Sequence, residues 1–183
     1  MKHPIFITGS QNKADYISRL LGVTVEHKKL DLEELQTTDA RKIIEHKVKQ
    51  AYAITRQPVL VEDVSLNMHA LDGLPGPFAK FFVDAKDGIE MMCRMLDGFD
   101  DRSAYILTYF AYYDGQHLEI IQGRLDGVIS KGPRGTGGFG YDAIFEPIGY
   151  GGRTRAELSE EEDAATYRQA KNFDALKTFL LAD

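Results

Sequence analysis

The sequence predicts an α/β fold around a partly antiparallel sheet, and three observations carry that expectation. Short apolar strand-forming runs alternate with helix-period segments through the first third of the chain. Two long strand-like runs, 103–113 and 117–129, then meet at Asp114-Gly115, a strong hairpin signal. A pure doubly wound parallel sheet has no place for such a hairpin. Finally, 183 residues with 43% hydrophobic and 27% charged content describe one folded domain, 1–183, with a real core.

Each element has its own signal. Ile5 to Thr8 reads as a first strand, closed by Gly9 and Ser10, and a helix follows from Asn12 to Leu21, ended by Gly22. Val23 to Lys28 alternates as a second strand. The next helix runs from about Asp39 to Arg56, with an apolar stripe of Ile43, Ile44, Val48, Ala51 and Ile54. Val59, Leu60 and Val61 form a short buried strand that runs out at Glu62 and Asp63. Asp87 with Glu90 makes a capping box for a helix through Leu96. After the hairpin, Gly132 to Gly140 is a glycine-rich loop, followed by a short strand that ends at Phe145. Ser159 with Glu162 caps a final helix that continues to about Leu181.

Several function classes fall away. A net charge of −6 argues against a nucleic-acid backbone partner, which needs a basic surface. The single cysteine, Cys93, excludes an internal disulfide, sits in an apolar helical pattern and reads as an inert buried thiol of a cytosolic chain. No segment has signal-peptide form or membrane-spanning length, so no membrane partner is expected. The five histidines are scattered without zinc spacing. The phosphate-loop pattern G-x-x-x-x-G-K-[ST] is absent. KGPRGTGGFGYD contains G-x-G-x-x-G at Gly135, Gly137 and Gly140, but it follows a hairpin and leads into a strand-like segment, so a dinucleotide fingerprint is rejected.

What remains points to an anion and a cation. IFITGSQNK delivers a strand to Thr8-Gly9-Ser10 and opens a helix whose free N–H groups suit an anion, with Lys13 in its first turn. Simple helix capping by the same hydroxyls is the competing reading. Lys47 falls inside the apolar stripe of its helix. Either it snorkels to solvent, or its ammonium points into a cleft holding an anion. Glu33, Glu34, Glu62 and Asp63 are the oxygen ligands magnesium prefers, usually between protein acids and substrate phosphates. Two adjacent carboxylates closing an apolar strand are a surface turn or a metal-bearing site. LDGLPGPFAKFF, with Lys80, is a stiff turn before a core segment, while Phe139 and Tyr141 can stack a base or pack inward.

Taken in order, FITGSQNK, DLEELQ, PVLVEDVSL, ALDGLPGPFAKFF, DRSAYILTYFAYYDG, GTGGFGYDAIF and AELSEEEDAATYR resemble the inosine triphosphate pyrophosphatase family across nearly the whole chain. That resemblance implies a long central mixed β-sheet flanked by helices, in two lobes with a nucleotide cleft between them. It implies hydrolysis of non-standard purine nucleoside triphosphates (ITP, XTP, dITP) to monophosphate and pyrophosphate, with Mg2+, in a cytoplasmic homodimer. By the same resemblance Lys13 and Lys47 are triphosphate ligands, joined by Thr8 and Ser10 at the phosphate turn. Glu34 is a metal ligand, and Asp63 binds metal or activates water, with Glu62 beside it. Lys80 belongs to the active cleft, Phe139 stacks the base with Tyr141 nearby, and Asp142, Tyr167 and Arg168 line the base pocket.

Three positions depart from the family pattern: Ser10 for an asparagine, Tyr167 for the histidine of Ser-His-Arg, and Glu162 for a lysine. The phosphate and metal apparatus is thus the more intact part. Two alternatives stand beside the main expectation: the same chemistry on another base, and a nucleotide-binding module without catalysis.

Overall fold

A computed structural model describes residues 2–22 and 24–182. It contains a mixed seven-stranded sheet in the order β2-β1-β3-β5-β6-β7, with β4 paired to β3 off that path. The strands are β1 (Ile5–Ile7), β2 (His27–Lys28), β3 (Val59–Met68), β4 (Pro75–Gly76), β5 (Ser103–Tyr113), β6 (Leu118–Ile129) and β7 (Phe145–Pro147). Flanking them are α1 (Gln11–Leu21), α2 (Ala40–Thr55), α3 (Ala79–Val83), α4 (Gly88–Arg94), α5 (Glu160–Lys171) and α6 (Phe173–Leu181). β1 runs parallel to both β2 and β3, whereas β3–β4 and β6–β7 are antiparallel. The expected mixed α/β class is what the chain adopts.

The chain divides into two compact units. The first comprises residues 1–63, 108–123 and 172–183. Its core gathers Phe6, Ile17, Ile44, Val48, Leu60, Phe110, Phe173 and Leu176, all buried. Phe173 stacks on Tyr16 and tilts against Phe110. The second comprises 64–107 and 124–171. Its core contains Leu66, Met68, Met92, Cys93, Leu96, Ile106, Leu125, Ile129 and Phe145. Cys93 is buried there as expected, and burial pushes its thiol pKa up.

Local signals account for most boundaries. Asp39 caps α2, its Oδ1 accepting from Lys42 N–H at 3.2 Å, and Arg56 ends the helix in the left-handed region. Asp39→Ala removes that cap and is expected to cost about 1 kcal/mol, lowering the melting temperature by about 2–4 °C in a thermal scan. At the hairpin, Asp114 Oδ1 accepts from the N–H of Gln116 and of His117, and Gly115 takes a φ of +99°. A Cβ at Gly115 would also overlap the Tyr52 hydroxyl.

Five expectations need correction. β3 does not stop at Glu62-Asp63 but continues to Met68, because Leu66 and Met68 bury in the second unit's core. The second strand shrinks to His27–Lys28, and Val23 lies outside the described residues. Asp87 makes no side-chain cap: its φ of +57° is left-handed, and α4 ends at Arg94. The segment after the glycine loop is a 3₁₀ turn, Gly140–Ala143, before β7 begins at Phe145. The final helix is two, α5 and α6, broken at Asn172, whose φ of +49° suits asparagine and whose Nδ2 donates to Gln122 O at 2.9 Å.

Candidate active site

The acid pair answers to its place on β3. Neighbouring residues of a strand point to opposite faces, so Glu62 and Asp63 cannot share one partner face. The crossovers β1-α1-β2 and β2-α2-β3 run in opposite directions along the sheet. Right-handedness of both then sets α1 and α2 on opposite faces. Each acid meets a lysine from one of those helices. Lys13 Nζ of α1 lies 3.3 Å from Glu62 Oε2, and Lys47 Nζ of α2 lies 2.9 Å from Asp63 Oδ1. Lys47 Nζ also donates to Glu34 Oε1 at 2.7 Å, drawing in the acidic loop before α2. Lys47 and Asp63 are largely buried, with side chains 12% and 14% exposed, whereas Glu34 is 62% exposed.

Electrostatics follow from that burial. Burial pushes the Asp63 carboxyl up from its ordinary range; Lys47 pulls it back, while the charge of Glu34 adds to the rise. Burial also works against the Lys47 ammonium, yet Asp63 and Glu34 together outweigh it and its pKa lies above that of an ordinary lysine. Lys13 goes the other way: burial lowers it, with Asp63 holding it up and Lys47 adding repulsion. Three carboxylates thus share two ammoniums, and Lys47 stays charged because it serves two of them.

The turn before α1 is built for anions but is locally satisfied. Thr8 Oγ1 accepts from Ser10 N–H at 3.1 Å, and Ser10 Oγ caps the helix by accepting from Lys13 N–H at 3.4 Å. Ser10 thus caps α1, while Thr8 closes a turn on the Ser10 N–H. Gly9 matters here because the stem of Lys29 runs 3.3 Å from where a Cβ would stand. Lys29 is a cation beside the turn that sequence reasoning missed.

The donor set suits magnesium. Glu34 and Asp63 offer hard oxygens and already converge on a single cationic nitrogen. Among the described residues no three His, Cys, Asp or Glu side chains form a metal cage. Magnesium usually takes only one or two protein carboxylates beside substrate phosphates.

The remaining expected site residues belong to the second unit. Phe139 is 69% exposed, at the end of the glycine loop. Tyr141 instead packs against the core, so only one of the two rings faces solvent. Asp142 is buried, paired with Arg155 Nη1 at 2.8 Å and accepting from Phe139 N–H at 3.0 Å. Tyr167 is half-buried, with Lys171 Nζ 4.9 Å and the Arg155 guanidinium 5.6 Å from its ring centroid. Arg168 is exposed on α5.

Two further residues of this unit have specific partners. Lys80, expected in the active cleft, lies exposed on α3 and pairs with Asp84 one turn on. Glu162, expected to reverse a charge at the base pocket, is held by both Nη atoms of Arg153, at 2.6 and 2.9 Å. Its Oε2 also accepts from Ser159 N–H, completing the expected capping box, and these bonds lower its pKa to about 2. Arg155 and Lys171, two buried cations of this unit, were not legible as site residues in the sequence.

The profile of the Ham1 family matches residues 4–179. The chain belongs to the Ham1 family. It is 41% identical, over 93% of its length and 88% of the relative's, to inosine triphosphate pyrophosphatase 1 of Trypanosoma cruzi. A second relative, the inosine triphosphate pyrophosphatase of Batrachochytrium dendrobatidis, is also 41% identical, over 98% of this chain and 94% of its own. The solved Ham1 protein of Coxiella burnetii superposes with a TM-score of 0.82 at 28% identity, covering 98% of each chain. No described helix is long and apolar enough to cross a membrane.

Proposed function

We propose that this chain is an inosine triphosphate pyrophosphatase, hydrolysing ITP, XTP and dITP to the monophosphate and pyrophosphate. The network Lys13–Glu62 and Glu34–Lys47–Asp63 carries that reading, because it holds two ammoniums against three acids in one unit. Relatives named for the activity, at 41% identity, support it.

In this reading Lys13 and Lys47 bind triphosphate oxygens and favour the charge that builds on the departing pyrophosphate. Asp63 takes a proton from water as the water oxygen bonds to the α-phosphorus and the α-phosphorus–bridging-oxygen bond breaks. Glu62, held by Lys13, fixes that ammonium at the phosphate turn. Magnesium, held by Glu34 and Asp63, would supply positive charge at the phosphate oxygens. Phe139 offers its exposed ring to the base. The enzyme is taken as a cytoplasmic homodimer with no nucleic-acid or membrane partner.

A second reading has its own support. Glu162 is engaged with Arg153, and two cations lie near the Tyr167 ring, which supports a pocket suited to another base. Pyrophosphate release from a panel of ITP, XTP, dITP, GTP and ATP, with magnesium and with EDTA, separates the possibilities. We expect release from ITP, XTP and dITP at least tenfold above GTP and ATP, and abolished by EDTA. Release confined to other triphosphates favours the shifted base. Nucleotide binding without release leaves a binding module and overturns the hydrolase.

A further inference from the structure

We propose that Arg155 is a positioning residue that sets the Phe139 ring for a purine base by holding the Asp142 carboxylate in one orientation. This rests on the reading of Phe139 as the base platform.

The glycine loop is anchored before Phe139, where Gly137 N–H donates to Ala156 O at 3.0 Å and Gly135 lies against the Ala156 backbone, but that anchor stops two residues short of the ring. Of residues 131–139, each is exposed or half-exposed, and Gly132, Gly135, Gly137, Gly138 and Gly140 leave the backbone little intrinsic preference. Polar ties must fix it. Asp142 Oδ2 accepts from Phe139 N–H at 3.0 Å, the backbone amide of the residue whose ring faces solvent. Gly138 lies against the same carboxylate: its φ is +68°, and a Cβ there would stand 2.5 Å from Asp142 Oδ2.

Asp142 in turn depends on Arg155. With Oδ2 on the loop, Oδ1 accepts from Arg155 Nη1 at 2.8 Å. Arg155 is itself only 5% exposed, and its fork is filled in three directions. Nη2 donates to Asp163 Oδ1 at 2.7 Å and Nε to Thr166 Oγ1 at 3.0 Å. The guanidinium thereby ties the 3₁₀ turn 140–143 to α5. Burial pushes the Asp142 carboxyl up and Arg155 pulls it back, so the pair keeps a buried acid able to accept from the loop. Lysine has one nitrogen and cannot fill a planar three-way fork.

The chain has no tryptophan, so Phe139→Trp places a single indole at the platform. Its quenching by ITP, titrated in EDTA to prevent turnover, reports stacking directly. In Phe139→Trp alone we expect saturable quenching. Adding Arg155→Lys should raise the apparent Kd about tenfold, or 1.4 kcal/mol. Inhibition by tripolyphosphate, which has no base, should stay within twofold. In the Phe139 background, Arg155→Lys should raise KM for ITP by a similar factor and change kcat less than twofold. Where Arg155→Lys does not fold, Asp142→Asn replaces it, since an amide cannot serve both Arg155 and the Phe139 N–H as acceptor oxygens. Equal ITP affinity with and without the variant, or equal weakening of ITP and tripolyphosphate, overturns the clamp alone. No quenching in Phe139→Trp itself overturns the base platform and the clamp with it.

Discussion

Asp63→Asn is expected to lower turnover of the preferred triphosphate about 10²–10⁴-fold, the usual contribution of a positioned base. The effect should fall on kcat, with KM within about threefold, because the lost function is exercised only as the phosphorus–oxygen bond forms. Asparagine keeps the shape of the side chain and an Oδ1 that Lys47 can still reach, now at 2.9 Å. Lys47 also retains Glu34. What disappears is the ability to take a proton, together with one charge toward a bound cation. Measuring kcat across a magnesium titration separates the two: a lost ligand is recovered at high metal, a lost base is not. Stability should change little, since burial already disfavours the ionised carboxyl at this position. Steady-state kinetics with a pyrophosphate-coupled assay is the check. A loss of less than tenfold at saturating magnesium would remove Asp63 from the role of base.

What could be read in advance follows the range of the interactions. Lys47 stood out because a helix has a period, but spacing alone left snorkelling and a cleft open, and only its pairing with Asp63 and Glu34 shows its partners. The hairpin and the Ser159–Glu162 cap were legible because their physics lies within four residues. Asp87-Glu90 had the same spacing and failed, since the φ of +57° at Asp87 takes its backbone out of the extended geometry that a cap needs. β3 was cut short because two carboxylates in a strand look costly until lysines from α1 and α2 are seen to meet them. The break at Asn172 is held by Gln122, fifty residues away. Arg155 in TRAEL has no local pattern at all. Its partners stand at 142, 163 and 166, and only the folded chain makes them neighbours.

Lys47→Met should cost about 2–4 kcal/mol, less than the roughly 3–5 kcal/mol of breaking a fully buried pair, because Glu34 remains largely in water. Methionine preserves the volume of the stem within α2 but leaves Asp63 facing Glu34 with no shared cation. The sign follows from Coulomb repulsion between two acids at a site where burial already opposes charge. For a chain of this size, that corresponds to a fall in melting temperature of about 5–15 °C. The same variant gives the carboxylates a reason to take a metal. In the unaltered protein an ammonium competes with any divalent ion for Glu34 Oε1 and Asp63 Oδ1, so metal binding without nucleotide should be weak. Removing the ammonium should tighten it, and millimolar magnesium should restore several degrees of melting temperature to Lys47→Met while moving the unaltered protein by less than about 2 °C. Turnover should nevertheless fall, because the proposed contact of Lys47 with the triphosphate is lost with it. Thermal melts with and without magnesium test both halves. A variant as stable as its parent would mean that the two acids do not repel across that nitrogen. A destabilised variant indifferent to magnesium would move the metal away from Glu34 and Asp63.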